Sequence, residues 1–330
     1  MWQEVYKFFI VGSGSWGLTI AKILSENKHK VVVFVRNEEK LKKLEIERLE
    51  KGIEIPKDIE FTLNLDDVGN CDFVIIAVPS FAFLETLTKL KNFKNKLFLI
   101  ATKGFTEELK FKSEIFEEIF QNRNYALISG PNIAIEIAQK KPSATIIASY
   151  DLKIAKVFQE SLFNDYFRPY IWDDVIGVEI GGSLKNIYAI AGGIIDALNL
   201  GLNAKSSLLT RALNEMVKFG VSFGARKITF SGLSGIGDLI TTSFSEHSRN
   251  HFVGYKLGLG YKLNDILKEL SEKNMVAEGI RTTFFVYEIS KQKQIEMPIV
   301  KVIRKILNSE IDVNEGIRML IKRPLKREFE

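Results

Sequence analysis

Residues 7–35 read KFFIVGSGSWGLTIAKILSENKHKVVVFV. An apolar β-branched run, 7–11, is followed by Gly12-Ser13-Gly14-Ser15-Trp16-Gly17, then by a helical pattern over 15–27 and a second apolar run at 31–35. A GxGxxG between a strand and a helix, with another strand beyond it, is the setting of a dinucleotide-binding turn. Gly12 permits the tight turn, Gly14 lets backbone approach a pyrophosphate, and Gly17 lets the helix pack closely on the strand. The helix N-terminus adds unpaired N–H groups and a partial positive charge for phosphate.

The alternation continues outward from this unit. Runs at 73–78, 97–101, 126–129 and 144–148 read as buried strands, with helical patterns at 38–51, 81–91, 107–121 and 132–140 between them. Near-continuous apolar strands separated by amphipathic helices predict an α/β fold: a Rossmann-like, doubly wound, mostly parallel sheet. After about residue 175 the pattern turns helical, at 174–199, 205–223, 231–241, 246–258, 262–272, 278–291 and 298–308, with no convincing strand. The expected division is a dinucleotide-binding domain over 1–175 and an all-helical, substrate-binding domain over 176–330.

Composition excludes several classes. The 330 residues carry 46 Lys and Arg against 41 Asp and Glu, a net charge of +5. These charges are interspersed, so no basic stripe for nucleic acid is expected, and the basic KRPLKREFE at the C-terminus reads as solvated surface. One cysteine and three histidines predict no disulfide framework and no metal site. The start MWQEVYKFFIV lacks the basic segment and cleavage site of a signal peptide. No apolar run approaches the roughly 20 residues a membrane span needs. The chain is expected to be cytoplasmic.

Ligands of such sheets lie beyond the carboxyl ends of the strands. Arg36 follows the second strand, where an acidic residue would hold ribose hydroxyls. A guanidinium there suits a 2′-phosphate and NADPH, while Glu38 and Glu39 would serve NADH. The segments AVPS (77–80), IATKG (100–104) and SGPN (129–132) place Pro79, Ser80, Lys103, Gly130, Pro131 and Asn132 at further strand ends, converging on one crevice.

In the helical half, GGSLKNIYAI (181–190) sets Lys185 and Asn186 inside an apolar run. Lysine is rarely buried without a purpose. Burial and a second cation such as Lys103 lower its basicity, and a carboxylate such as Asp238 opposes that drop. The bland alternative is a helix lysine that snorkels to solvent. The stretch 232–250 adds Asp238, Thr242, Ser248, Arg249 and Asn250, and Ser-Arg-Asn has the look of a phosphate clamp. His247 reads as surface.

The segments GSGSWG, ATKGF, SGPNIAIE, LKNIYAIAGG, GLNAKSSLLTRALNE, GLSGIGDLITTSFSEHSRN and AEGIRT resemble, in order, the motifs of bacterial-type NAD(P)-dependent glycerol-3-phosphate dehydrogenase. The resemblance covers nearly the whole chain. It implies the reversible reduction of dihydroxyacetone phosphate by NADPH or NADH to sn-glycerol 3-phosphate, for glycerophospholipid synthesis, by a homodimer. It makes Lys185 the proton acceptor of the oxidation and puts Lys103, Gly130, Asn132, Asp238, Ser248, Arg249 and Asn250 on substrate. It puts Ser15, Trp16, Arg36, Lys103, Ala134, Arg249, Val276 and Glu278 on cofactor. Position 132, commonly Ser or Thr in the family, is Asn here. Two rival readings are a related dehydrogenase of a 3-hydroxy acid or ketopantoate, and a nucleotide-sensing protein without catalysis.

Overall fold

The computed structural model describes residues 4–105, 110–273, 275–325 and 327–328. Among them the chain separates into two compact units, residues 1–179 with 231–234, and residues 180–230 with 235–330.

The first unit is built on β1 (Lys7–Val11), β2 (Lys30–Phe34), β3 (Leu49–Glu50), β4 (Ile53–Glu54), β5 (Glu60–Thr62), β6 (Phe73–Ile76), β7 (Leu97–Ile100), β8 (Tyr125–Ser129), β9 (Ser143–Ala148) and β10 (Phe167–Trp172). Among the described residues, eight of these strands form one sheet in the order β10-β9-β8-β7-β6-β1-β2-β5. Pairing is parallel from β5 through β8. It turns antiparallel between β8 and β9, and β10 runs parallel to β9. The helices are α1 (Ser15–Glu26), α2 (Glu38–Glu47), α3 (Phe83–Lys89), α4 (Lys112–Phe120), α5 (Ala134–Ala138) and α6 (Leu152–Leu162).

Strand β1 shows why the sheet is covered on both faces. Its side chains alternate sides: Phe8 and Ile10 join one apolar cluster with α1 and α6, while Phe9 and Val11 join another with α3 and α4. The chain leaves β1 through α1 to β2, and β6 pairs on the opposite side of β1. The order of strands therefore reverses at β1, the point where ligands of such sheets bind.

The second unit is helical: α7 (Val175–Ala197) from residue 180 onward, α8 (Gly201–Val221), α9 (Asp238–Phe244), α10 (Arg249–Gly258), α11 (Leu263–Glu272), α12 (Glu278–Gln292), α13 (Pro298–Leu307) and α14 (Val313–Ile321).

The six strands expected from the apolar runs all form, each within two residues of the anticipated ends. Elsewhere the structure corrects the sequence reading. The helix expected over 38–51 stops at Glu47, because Arg48 turns left-handed and Leu49–Glu54 fold into a hairpin around Lys51 and Gly52, both at positive φ. The pattern at 231–241 begins as a wide turn over Leu233–Gly237 and becomes α-helix only at Asp238. Helices α6 and α14 and strands β5 and β10 were not anticipated. The helix expected from 107 is seen from Lys112, residues 107–109 lying outside the described residues.

Candidate active site

The glycine turn is built as its spacing requires. Gly12 has φ +127°, a backbone conformation that favours glycine. A Cβ there would lie 2.4 Å from the Ala77 carbonyl oxygen, and one at Gly17 would lie 1.9 Å from the Gly12 oxygen. These two glycines let β1, α1 and the end of β6 pack together. Gly14 differs: it is exposed, and a Cβ on it would meet nothing within 4 Å. It is also the N-cap of α1, and no side chain caps the helix. Open space beside uncapped helical N–H groups fits a dinucleotide pyrophosphate.

Around this turn, Ser15 and Trp16 open α1, and Trp16 packs half-buried against the core. The carbonyl of Ala134, first residue of α5, accepts from the Thr19 hydroxyl at 3.1 Å. Arg36 is exposed two residues beyond β2, and Glu38, beside it, pairs with Lys42 at 2.8 Å.

Two further strand ends are tied together. Lys103 Nζ donates to the Gly130 carbonyl at 3.0 Å, bridging the segments after β7 and β8. Gly130 has φ +133°. Asn132 turns its side chain to β9: its amide donates to the Ala144 carbonyl at 3.4 Å, and its oxygen accepts from the Thr145 hydroxyl at 2.9 Å. That carboxamide is held by the sheet.

In the second unit, Lys185 is 8% exposed and Asp238 1%. The Lys185 ammonium donates to Asp238 Oδ1, and the Thr242 hydroxyl donates to the same oxygen at 3.3 Å. Lys185 does not snorkel. Its charge is held against a buried carboxylate, an arrangement costly enough in desolvation that good geometry must offset it.

Asn186 and Asn250 form a second polar node. The Asn250 amide donates to Asn186 Oδ1 at 2.9 Å, and Asn250 Oδ1 accepts from the Gly279 N–H, in the first turn of α12, at 2.8 Å. A Cβ at Gly279 would fall 2.5 Å from the Asn186 carbonyl oxygen, so glycine is needed there. Both asparagines are buried and tie α7, α10 and α12 together. Ser248 is the N-cap of α10, its hydroxyl accepting from the His251 N–H at 3.2 Å. Arg249 opens that helix and is exposed, as are Val276 and His247, while Glu278, the first residue of α12, is half-buried.

Sequence reasoning missed two carboxylate nodes on α7, one buried at Glu179 and one exposed at Asp196. Glu179 accepts from the N–H groups of Lys112 and Ser113 and from the Ser113 hydroxyl, the last at 2.6 Å, so it caps α4. Burial pushes its carboxyl above the ordinary range, against those hydrogen bonds. Asp196 gathers Lys205 and His251, each at 2.6 Å. The signal in both cases was an acidic residue within an apolar helix, the same signal that drew attention to Lys185.

A profile described as the NAD-dependent glycerol-3-phosphate dehydrogenase N-terminus matches residues 7–155, and one described as its C-terminus matches residues 174–318. A glycerol-3-phosphate dehydrogenase (NAD(P)+) of Thermoanaerobacter sp. (strain X514) is 39% identical over 98% of this chain and 99% of its own length. That of Staphylococcus carnosus (strain TM300) is 37% identical over the same shares. The crystal structure of glycerol-3-phosphate dehydrogenase from Coxiella burnetii superposes with a TM-score of 0.90 at 31% identity, covering 97% of this chain and 99% of that one. With both halves matched by the family's profiles and relatives aligned nearly end to end, the chain belongs to the NAD-dependent glycerol-3-phosphate dehydrogenase family of oxidoreductases.

Proposed function

We propose that the protein reduces dihydroxyacetone phosphate reversibly to sn-glycerol 3-phosphate, for glycerophospholipid synthesis, with residues 1–175 as the dinucleotide-binding domain and 176–330 as the substrate-binding domain. The observation that carries this reading is the buried Lys185–Asp238 pair. Reduction of a ketone needs hydride on carbon and a proton on oxygen. The nicotinamide supplies the hydride when bound. Lys185 gives its proton to the carbonyl oxygen as the C–O bond becomes single, and takes it back in the oxidation. Asp238 orients the ammonium, and Thr242, bonded to the same carboxylate oxygen, steadies it.

Arg249 grips the phosphate, since an exposed guanidinium at a helix start matches phosphate oxygens with paired donors. Asn250, Asn186 and Ser248 keep its helix in place, and Asn250 retains an amide hydrogen for the same anion. Lys103 is the second cation assigned to the substrate, with Gly130 beside it. Asn132 acts through the sheet, because β9 holds its carboxamide. The uncapped start of α1, with Gly12, Gly14, Ser15, Trp16 and Gly17, supports pyrophosphate binding there. Lys103, Ala134, Arg249, Val276 and Glu278 are also assigned to the cofactor on the family resemblance. Exposed Arg36 favours NADPH over NADH, Glu38 being engaged by Lys42. No helix among the described residues is long and apolar enough to cross a membrane. A cytoplasmic homodimer is the assembly proposed.

The test is Lys185→Ala, assayed by absorbance at 340 nm with dihydroxyacetone phosphate and either reduced cofactor. Turnover should fall about 10³-fold, within the range a positioned acid contributes, while NADPH binding followed by fluorescence persists. Turnover within tenfold of the parent would remove Lys185 from the chemistry.

A further inference from the structure

Helix α10 begins with Arg249, and its second and third residues are Asn250 and His251. How that helix is fixed decides where the Arg249 side chain can reach. Three residues at helical spacing of four, Asn250, Gly254 and Gly258, lie in one line along α10. All three meet α7: Asn250 bonds Asn186, a Cβ on Gly254 would fall 1.8 Å from the Ile190 oxygen, and one on Gly258 would fall 2.6 Å from Ala197 Cβ. From α7, Gly193 returns the contact, its absent Cβ lying 2.1 Å from the His251 carbonyl oxygen. A single line of contacts sets the separation of two helices but resists rolling about that line poorly.

Off the line, about 100° around the helix from Asn250, His251 adds a charged side-chain anchor to the backbone approach of Gly193 to Tyr255 and the Asn250–Gly279 bond. Its Nε2 lies 2.6 Å from Asp196 Oδ2, near the end of α7. The same oxygen accepts from Lys205 of α8 at 2.6 Å, and the Lys205 ammonium stands 4.0 Å from the centre of the Phe244 ring. Lys205 is 3% exposed and His251 8%. Burial draws the Asp196 carboxyl upward, but the bonds and charge of Lys205 and His251 outweigh it and hold it below the usual carboxylate range.

We propose that Asp196 is a positioning residue for substrate phosphate: by anchoring His251 against α7 it stops α10 from rolling and so aims Arg249. This rests on the assignment of Arg249 to the phosphate. Asp196 itself touches no reacting atom, so its loss acts on substrate affinity and passes through Arg249.

The experiment is a double-mutant cycle between Asp196→Asn and Arg249→Ala, reading KM for dihydroxyacetone phosphate, kcat, and NADPH affinity by fluorescence. Asp196→Asn alone should raise KM by about fivefold or more with kcat little changed, the signature of lost uniform binding, and should weaken NADPH no more than Arg249→Ala does. In the Arg249→Ala background the same change should add nothing, because contacts that act through one residue couple in such cycles. If Asp196→Asn does not fold, His251→Phe takes its place; it keeps a ring of similar size, leaves the Asp196–Lys205 pair intact and cannot bond Asp196. An unchanged KM, or multiplicative effects in the double variant, overturns the positioning role and leaves Arg249 on the phosphate. An unchanged KM in Arg249→Ala itself would instead overturn the assignment of Arg249, and the positioning role with it.

Discussion

Gly12, Gly14 and Gly17 belong to one motif yet do different physical work. Adding a methyl group at Gly12 or Gly17 would drive it into backbone oxygen, whereas Gly14 has φ −83° and empty space where the methyl would go. Gly14→Ala should therefore keep the melting temperature of the ligand-free protein within about 2 °C, as surface changes do. It should also reduce the thermal stabilisation by NADPH, which at a hundred times Kd is about 2.7 kcal/mol for an intact site. Parallel melts with and without NADPH check both halves, and a full ligand-induced shift in the variant would show that nothing approaches Gly14. The same scale holds Glu215, which accepts from the Ile299 N–H at 2.7 Å and the Val300 N–H at 3.3 Å and so caps α13. Burial pushes its carboxyl up to about 7 from an ordinary 4.5, against the pull of those N–H groups. Between these two values the folded protein keeps a proton that the unfolded chain has lost. Stability then falls as pH rises through that window, by about 3 kcal/mol in all, and levels off above it. Urea unfolding from pH 4.5 to 7.5 should show this decline in the parent and a flatter profile in Glu215→Gln. Lys185 was legible from sequence because a lone cation in an apolar helix is conspicuous. Glu215 was not, because nothing local announces that the N-terminus of α13 will need a carboxylate 84 residues earlier in the chain.

Among elements, α7 and α10 cross closely, with glycine on both helices. The GG in AGGIIDAL is plain in the sequence, but the residues that Gly193 meets, His251 and Tyr255, are distant along the chain. Gly254→Ala would place a methyl group against the Ile190 carbonyl, where backbone cannot yield as a flexible side chain does. Overpacking costs about 1–3 kcal/mol, and this substitution should reach the upper end, read as a lower urea midpoint with unchanged slope. A midpoint equal to the parent's would mean the helices can separate without loss. Other elements escaped sequence reading for identifiable reasons. The helix pattern over 38–51 runs on through Leu44 and Leu49, and left-handed Arg48 followed by the left-handed turn at Lys51–Gly52 distinguishes the hairpin, whose two-residue loop suits β-strand twist. Strand β5 is three residues long, too short for periodicity to register. Strand β10, FRPYIW, carries an interior proline, which argues against a strand unless the strand lies at an edge, and β10 does.

At the scale of the molecule, the first unit was legible because its order is local: each apolar run and the helix after it can be read in a window of 30 residues or so. The glycine turn then fixes which end of the sheet faces a ligand. The second unit was legible only as a set of helices. Its site depends on contacts such as Lys185 with Asp238, 53 residues apart, and Asn186 with Asn250, 64 apart, which no periodicity encodes. Family motifs marked these residues as substrate positions, and the structure supplies the Asn186–Asn250 pairing. Proline 169 has a bearing of another kind. A strand at the margin of a sheet offers unpaired amides to any passing chain and invites fibrous self-association. At Pro169 there is no N–H to offer, and its carbonyl is already occupied by the Gln159 amide at 3.0 Å. The margin of this sheet is thereby blunted where another strand would dock, which favours solubility when the protein is crowded.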